Sequence, residues 1–414
     1  MRPLFLLASI FASRFDIAIC KSPCNFKIEI KRYGEELVNI LRERHTVEEA
    51  QFAVARRKYE FNNSWAANDL CRVAGNLIKI VKGVFPENNS RQHIVLKHLP
   101  RLLLKYNESS KNNLGQIIFH TFTDILDYPE FHPSHHADVC PAEVLKAKGT
   151  LLWWISDRDS KAPLLIKVAL AALDAESSGW TLAVVYSDNA APIVRAIEDA
   201  LPSRCRKNGL AIRTIKLSVL GVPQPPSRGD LSCFQFSQAY YDLSSTEHIL
   251  VAGGDDVVVR RPLLEREYSY ALLGAPWIWC RTAGYPEWCK YGGNGGFSYR
   301  AKSFTKKYGI RADPKKSIIE WKAACAELRH LDDSLWARSI VDEIYAKQKS
   351  LWKWAGPEIQ AQFSTETVRT AFKNPCGLHK TWKYSSYGMD SAYISSLLVA
   401  PARALGSFSS FVEQ

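Results

Sequence analysis

Two adjacent carboxylates inside an apolar run are the first residues of this chain that could do chemistry. Residues 249–262 read ILVAGGDDVVVRRP, so Asp255 and Asp256 follow two glycines and precede three valines. Carboxylate oxygens are the donors that Mg²⁺ and Mn²⁺ prefer, and these ions keep positions open for substrate phosphates. The acid pair is therefore either a solvated turn or the metal-binding edge of a buried sheet.

From about residue 149, short apolar runs alternate with helical patterns. GTLLWWISD, WTLAVVYSDN, LAIRTIKLSVL and HILVAGGDDVVV predict strands, with helices such as LLIKVALAALDA and APIVRAIEDAL between them. This order predicts an α/β fold with a mostly parallel sheet and helices on both faces. Ligands bind beyond the carboxyl ends of the strands in such sheets. The acids that end three of the runs, Asp157, Asp188 and Asp255, are therefore expected near a ligand, and Arg158 follows the first of them.

A glycine cluster follows the acid pair. Residues 291–300 read YGGNGGFSYR, with Asn294 between two pairs of glycines. Glycines permit close approach of the backbone to a ligand, and the Asn294 amide suits sugar hydroxyls. A tight turn or bulge is the alternative. Three nearby tryptophans offer either a stacking surface for sugar rings or core packing, namely Trp277, Trp279 and Trp288.

Acids and a histidine recur towards the C-terminus. Asp332 and Asp333 stand where a helix is predicted to begin, so they either cap its free amides or supply a general base. Glu366, His379 and Trp382 follow, and a loop flanked by glycine and proline makes the histidine a ligand candidate.

Composition limits the class of partner. The chain has 414 residues, 23% of them charged and 46% hydrophobic, which is typical of a globular protein. The formal net charge of +12 suits an acidic ligand such as a nucleotide phosphate. No basic run is interleaved with aromatic residues, so no nucleic-acid partner is expected.

The N-terminal part of the chain has a different sequence pattern, without the alternation of strands and helices. Residues 1–20 resemble a signal peptide, and 21–148 are predicted to be an α-helical region because apolar residues recur at three and four positions. No apolar run reaches the roughly 18 residues that a membrane span needs. N-glycosylation sequons at Asn62, Asn88 and Asn107 favour the secretory pathway, in the ER or Golgi lumen or outside the cell, over the cytoplasm.

Ten cysteines do not demand a disulfide framework in a chain of this size, although Cys280 and Cys289 are close enough to pair.

Together the motifs resemble a known family. GWTLAVVYSDN, AYYDLSSTEHILVAGGDDVVV, YALLGAPW, GNGGFSYR, LDDSLWA, AQFSTE and PCGLHKTW are similar, in that order, to the domain of unknown function numbered 5672. The resemblance covers roughly residues 149–385. That family looks like glycosyltransferases of the type-A fold, including fringe-like enzymes that use a nucleotide-sugar and manganese. We therefore expect a glycosyltransferase-like domain over residues 149–400.

The resemblance implies roles for individual residues. Asp255 and His379 would hold Mn²⁺ or Mg²⁺, and Asp333 would act as the catalytic base. Asn294, Gly295 and Gly296 would border the sugar site. Apart from the resemblance, we also expect donor or sugar binding by Asp157, Arg158, Asp256, Trp277 and Trp382. Gly253 stands where the first acid of an Asp-x-Asp motif would be, and Asp332 stands where the family tends to have glutamate.

Two functions follow as hypotheses. The first is a nucleotide-sugar-dependent glycosyltransferase with a glycan, protein or lipid acceptor. The second, motivated by Gly253, is a catalytically inactive domain of the same fold that binds a carbohydrate or a nucleotide. The donor sugar, the acceptor and the stereochemical outcome are not encoded in any motif that we identify.

Overall fold

The computed structural model describes the following parts of the chain: residues 67–85, 90, 92, 95, 114–127, 140–143, 146–201, 205, 212–262, 264–277, 280, 287–326, 332–345, 352–368, 374–382 and 391–410. The candidate signal peptide, the three sequons and Trp279 lie outside these residues. The chain divides into two compact units. One comprises 1–133 with 390–403, and the other comprises 134–389 with 404–414. The domain boundaries drawn from the sequence stay a prediction.

The described part of the first unit is helical, as the sequence predicts. It contains helix α1 (Ala67–Val84), helix α2 (Leu114–Asp127) and the first part of a helix, Ser391–Ser410, that ends the described chain. Asn76 on α1 donates from Nδ2 to Ser395 Oγ over 3.0 Å and to the Ala392 carbonyl over 3.3 Å. None of the described helices is both long and apolar enough to cross a membrane.

The second unit is built on a six-stranded sheet. Its strands are β1 (Gly149–Ile155), β2 (Trp180–Tyr186), β3 (Ile212–Lys216), β4 (His248–Gly253), β6 (Leu272–Ala275) and β7 (Asn294–Ala301), in the spatial order β3-β2-β1-β4-β7-β6. Strands β3, β2, β1 and β4 are mutually parallel, whereas β7 runs antiparallel to both of its neighbours. The prediction of a mostly parallel α/β sheet is confirmed.

A second, three-stranded sheet has the order β5-β9-β8. It consists of β5 (Asp256–Val258), β8 (Ser364–Thr365) and β9 (Gly377–His379). The apolar run 249–262 is therefore divided between two sheets, because the chain turns at Gly254 and Asp255. His379, expected in a loop, lies instead at the end of β9, paired with β5.

Helices connect and cover the strands. After β1 come α3 (Ala162–Leu173) and α4 (Ala175–Ser178), and after β2 comes α5 (Ala191–Ala200). The remaining helices are α6 (Arg228–Gln235), α7 (Gln238–Tyr241), α8 (Leu264–Glu267), α9 (Lys302–Tyr308), α10 (Ile318–Ala326), α11 (Asp332–Tyr345), α12 (Pro357–Phe363) and α13 (Ser391–Ser410). The predicted single helix at CFQFSQAYYDLSS is two, because the Ser237 side chain caps a new helix by accepting from the Tyr240 amide.

The core occupies both faces of the large sheet. On one face, alternate residues of β1, β2 and β4 pack against aromatic side chains of the helices, among them Phe234, Tyr240, Phe304 and Trp336. The intervening residues of the same strands, such as Leu151, Leu182 and Leu250, are fully buried as well. Successive strand residues point to opposite faces, so both faces are covered.

Disulfides tie the second unit together. Cys140 is bonded to Cys205, Cys233 to Cys325, and Cys280 to Cys289, which confirms the pairing of the last two that their proximity in sequence suggested. Among the described cysteines, Cys376 is a free, buried thiol. Disulfides persist in oxidising compartments and are rare in the cytosol.

Candidate functional site

The site lies where the strand order of the large sheet reverses. Chain order runs outward from β1 through β2 to β3 on one side, and β4 adds on the other side of β1. In open α/β sheets, a crevice opens beyond the carboxyl ends of the strands at such a reversal. Residues 156–159 follow β1, and Gly254 and Asp255 follow β4. Because β1 and β4 are parallel neighbours, Asp255 lies beside the turn that follows β1.

Asp159 is the acid that the turn after β1 brings to this crevice. Its Oδ2 accepts hydrogen bonds from the Ser156 amide over 2.6 Å and from Ser156 Oγ over 2.8 Å. Burial raises the pKa of Asp159 and the charge of Asp255 adds to this, while Ser156 and Lys380 act in the opposite direction. A side chain at Gly254 would overlap the Asp159 carboxylate, so the turn after β4 packs directly on this acid.

The sequence pointed to different residues of the same turn. Asp157 and Arg158 are exposed on it, whereas Asp159 is partly buried. The signal for Asp159 is its spacing of three from Ser156, which allows a side chain to close a turn on the backbone amide.

Asp255 faces a lysine that the sequence did not single out. Its Oδ1 lies 3.7 Å from Lys380 Nζ, and both side chains are partly exposed, at 28% and 37%. Lys380 has a φ of 49°, a left-handed conformation that residues other than glycine adopt infrequently and that is enriched at functional sites. Within the described part of the chain, the crevice thus brings the carboxylates of Asp159 and Asp255 close to the ammonium group of Lys380.

Asp256 is the acid that meets His379. The two residues lie directly opposite each other in the antiparallel pair of β5 and β9, and His379 Nδ1 is 2.5 Å from Asp256 Oδ1. The Gly253 amide donates to Asp256 Oδ2 over 2.6 Å. Asp256 is fully buried and His379 is 7% exposed. Burial lowers the pKa of His379, but the carboxylates of Asp256 and Glu366 outweigh it and raise that pKa above its ordinary value.

The glycine cluster packs on the other side of the histidine. Asn294 Oδ1 accepts from the Gly296 amide over 2.7 Å, and Asn294 Nδ2 donates to Glu366 Oε1 over 3.1 Å. The same Glu366 oxygen lies 3.8 Å from His379 Nε2. A Cβ at position 296 would overlap the His379 ring, so glycine is required there by close packing. Gly295, Gly296 and Asn294 are themselves half-buried, which leaves this edge accessible to a ligand.

Of the predicted sugar-stacking tryptophans that the structure describes, Trp277 is buried and Trp288 is half-buried, and the sugar-binding candidate Trp382 is buried as well. Trp277 is 6% exposed and packs edge-on against Trp288, with ring centroids 6.1 Å apart. Trp382 is 2% exposed. Trp288 is half-buried, with the Arg338 guanidinium 5.4 Å above its ring. Of the three, Trp288 has the most accessible ring.

The candidate base stands at a helix terminus. Helix α11 begins at Asp332, as the sequence predicts, so Asp333 lies in its first turn. The side chains of both acids lie outside the described part of the structure. The assignment of Asp333 as a base stays a prediction.

Carboxylates such as that of Asp255 are suitable ligands for a hard divalent ion, but few possible ligands lie together in the described residues. Within the described residues, no group of three or more His, Cys, Asp or Glu side chains is arranged to hold a metal ion. Asp256 has both oxygens engaged by protein donors, whereas Asp255 keeps a partly exposed carboxylate. Mg²⁺-type ions are commonly bound by one or two protein ligands together with substrate phosphates and water. The partly exposed Asp255 carboxylate fits this set in kind, whereas His379 is 7% exposed and both of its ring nitrogens lie beside carboxylates.

Two solved structures that are similar to this chain are mannosyltransferases. Ktr4p from S. cerevisiae is similar at 10% sequence identity and a TM-score of 0.31, covering 65% of this chain and 80% of that chain. PcManGT from Pyrobaculum calidifontis, solved with GDP-Man and Mn²⁺, is similar at 12% identity and a TM-score of 0.28, covering 59% of this chain and 63% of that chain. At these scores the similarity carries no argument about activity.

Sequence comparison finds a family model that matches part of the chain, including part of the site. No curated protein matches the chain. The matched region contains both acids of the pair, the glycine cluster and His379. As the motifs predict, residues 226–379 match the model of the family described as protein of unknown function (DUF5672).

Proposed function

We propose that the protein is a nucleotide-sugar-dependent glycosyltransferase that transfers a sugar to a hydroxyl acceptor. One observation carries the proposal: Asp255, Asp159 and Lys380 meet at the carboxyl ends of β1 and β4, where the strand order reverses. This is the position at which open α/β sheets bind nucleotides. Charged groups of both signs at this crevice suit a ligand that brings both phosphates and a divalent ion.

Lys380 is the group that we assign to the donor diphosphate. Its ammonium group is partly exposed at the crevice and lies 3.7 Å from Asp255 Oδ1. A lysine binds phosphate as a point charge, and the net charge of +12 attracts an anionic donor from solution. Lys380 therefore stabilises the negative charge that develops on the leaving nucleoside diphosphate.

We assign Mn²⁺ or Mg²⁺ binding to Asp255 and His379, as the family resemblance implies. Such an ion, when bound with the donor, supplies Lewis-acid stabilisation of the leaving diphosphate. Asp256 positions His379, because its carboxylate accepts from Nδ1, while Nε2 lies 3.8 Å from Glu366 Oε1.

The donor sugar is assigned to the glycine edge of the site. Asn294 presents an amide beside Gly295 and Gly296, and Glu366 orients that amide through the 3.1 Å hydrogen bond. The assignments of Asp157, Arg158, Trp277 and Trp382 to donor binding remain proposals, with Arg158 the exposed cation among them. Asp333 is the proposed base that takes the proton of the acceptor hydroxyl as its oxygen attacks the anomeric carbon.

The disulfide bonds support a location in an oxidising compartment. Three disulfides in the described residues fit an oxidising environment, so we place the protein in the secretory pathway. The donor is a small anionic molecule, and the acceptor is a glycan, protein or lipid that the site does not identify.

The experiment compares two aspartate variants. Purified protein is incubated with Mn²⁺ and a panel of nucleotide-sugars, and released nucleoside diphosphate is measured. Asp255→Asn should lower the rate about a hundredfold or more, since it removes a charge used at the leaving group. Asp199→Asn, an exposed carboxylate on α5, is the matched control and should keep the full rate.

A full rate in Asp255→Asn would remove this acid from the mechanism. If wild-type protein releases no diphosphate from any donor yet binds a free sugar or nucleotide in calorimetry, the inactive binding domain replaces the glycosyltransferase.

A further inference from the structure

A buried arginine contacts the glycine edge of the site from inside the protein. Arg300 lies on β7 and is 1% exposed. Its guanidinium donates from Nε to Ser298 Oγ over 3.0 Å and from Nη2 to the Gly295 carbonyl over 3.2 Å. Its Nη1 donates to the Tyr241 hydroxyl, and its central carbon lies 5.8 Å from the Tyr241 ring centroid. A buried charge is costly unless it is hydrogen-bonded, and these contacts supply the bonds.

The peptide group between Gly295 and Gly296 is held at both ends. Its carbonyl oxygen accepts from Arg300 Nη2 and, over 3.1 Å, from Ser298 Oγ. Its N–H donates to Asn294 Oδ1 over 2.7 Å. Hydrogen bonds in a chain polarise one another, so a cation at the carbonyl strengthens the bond that the same peptide group donates. Arg300 therefore acts on Asn294 through one peptide group.

This peptide group lies in a bulge of β7. In the pairing of β6 with β7, Gly274 lies opposite Ser298, whereas the next residue, Ala275, lies opposite Asn294. The pairing thus skips residues 295–297. Bulges redirect side chains and are frequent next to functional sites. Since the ladder does not set the conformation of the skipped residues, the bonds from Arg300 and Ser298 take over that role.

The same bonds determine the orientation of the Asn294 amide. The Gly296 N–H can only donate, so the Asn294 atom beside it is the oxygen, and Nδ2 is directed to Glu366 Oε1 at 3.1 Å. That bond uses one of the two hydrogens on Nδ2. The second hydrogen is the donor that a sugar hydroxyl would meet at this half-buried edge.

We propose that Arg300 is a positioning residue for the donor sugar. It fixes the peptide group between residues 295 and 296, and that group fixes the direction in which Asn294 presents its amide. Lysine keeps the charge but lacks the planar fork of donors that reaches Ser298 and Gly295 together. The inference rests on the proposed nucleotide-sugar site and adds to it a residue that is itself buried.

The test compares the affinity for a nucleotide-sugar with the affinity for its nucleoside diphosphate. UDP-glucose with UDP, and GDP-mannose with GDP, are titrated calorimetrically with Mn²⁺ into the full-length protein. Arg300→Met should bind the nucleotide-sugar about tenfold more weakly and the diphosphate unchanged, since the diphosphate is assigned to Lys380. Arg300→Lys should fall between Arg300→Met and the wild type. A purely structural loss would weaken both ligands alike.

Ser298→Ala is a milder variant, because it removes one of the two donors to the Gly295 carbonyl and keeps Arg300. It should shift the same ratio of affinities in the same direction. Thr150→Val is the matched control. Thr150 is 2% exposed near the start of β1, and its hydroxyl lies 3.0 Å from that of Thr181. This variant loses a buried hydrogen bond at the opposite end of the strands and should keep the wild-type ratio.

A second measurement reports on the peptide group without any ligand. Hydrogen exchange of residues 292–298, followed by mass spectrometry, should be at least about tenfold faster in Arg300→Met than in the wild type, and unchanged in Thr150→Val. Unchanged exchange, or an unchanged ratio of affinities in Arg300→Met, overturns the proposal. If the wild type binds none of the four nucleotides, the proposed function itself fails, and the exchange data still show whether Arg300 holds the bulge.

Discussion

A buried pair, Asp256 and His379, joins distant parts of the chain at the candidate site. Asp256 and His379 are 123 positions apart in sequence, and their contact depends on the antiparallel register of β5 and β9. From the sequence, Asp255 could be placed at a strand end because the apolar run before it is local information. The partner of each acid could not be predicted, since it requires the register of a strand that forms far along the chain. Lys380 was overlooked for the same reason.

The close packing of Gly296 on His379 gives a residue-scale prediction. Gly296→Ala places a methyl group in the space of the imidazole ring, so it should lower the free energy of unfolding by about 1–3 kcal/mol and reduce nucleotide-sugar turnover. Chemical denaturation and the diphosphate-release assay measure the two effects.

Gly75→Ala is the control for this substitution. Gly75 lies within α1 and has no neighbouring atom within 4 Å of the added methyl group, so alanine should stabilise the protein by about 0.5–1 kcal/mol. Equal stability of Gly296→Ala and wild type would show that the ring does not occupy this position.

His248 provides a pH-dependent prediction away from the site. It stacks on Tyr268 with ring centroids 4.2 Å apart, and its Nδ1 lies 2.8 Å from the Tyr299 hydroxyl. Burial lowers the pKa of His248 below its ordinary value of 6.5, and Glu247 only partly opposes this. The unfolded chain therefore binds the proton more readily than the folded chain does.

Stability should accordingly fall as the pH drops through 6.5 towards the lower folded-state pKa of His248, and this group should cause no further loss below it. The difference in the free energy of unfolding between wild type and His248→Gln, measured across this range, isolates the effect. A difference that is independent of pH would mean that His248 titrates equally in both states.

At the scale of elements, the sequence is most informative where the signal is local. The strands and helices from β1 to β4 follow from apolar runs and helical periodicity, and the mostly parallel sheet follows from their alternation. The division of residues 249–262 between two sheets was not predicted, because an apolar run gives no indication of which partner each half will find. The break at Ser237 depended on a single capping side chain.

The disulfides are expected to differ in how much they stabilise the fold. Cys233–Cys325 closes a separation of 92 residues, and Cys280–Cys289 closes one of 9. On the chain-entropy model, losing the longer bridge should cost about 2 kcal/mol more stability than losing the shorter one. Denaturation midpoints of the two cysteine-to-alanine double variants test this, and equal losses would contradict it.

At the scale of the whole molecule, the net positive charge and the topology of the large sheet both favour an anionic ligand. The basic chain attracts anions over its surface, and the reversal of strand order provides one crevice where a nucleotide phosphate can approach Lys380. Binding that rests on this attraction should weaken as salt rises. Composition could be used to predict an acidic ligand, but only the fold suggests the position on the molecule at which we propose that it binds.

The most direct test is calorimetric titration of nucleoside diphosphates, with Mn²⁺ present, into wild type, Lys380→Gln and Lys290→Gln. Lys290 is an exposed lysine and serves as the control. The account predicts that a diphosphate binds the wild type and the control equally, and binds Lys380→Gln about tenfold more weakly. Equal affinity in all three proteins, or no binding to the wild type, would contradict the claim that this crevice is a nucleotide site.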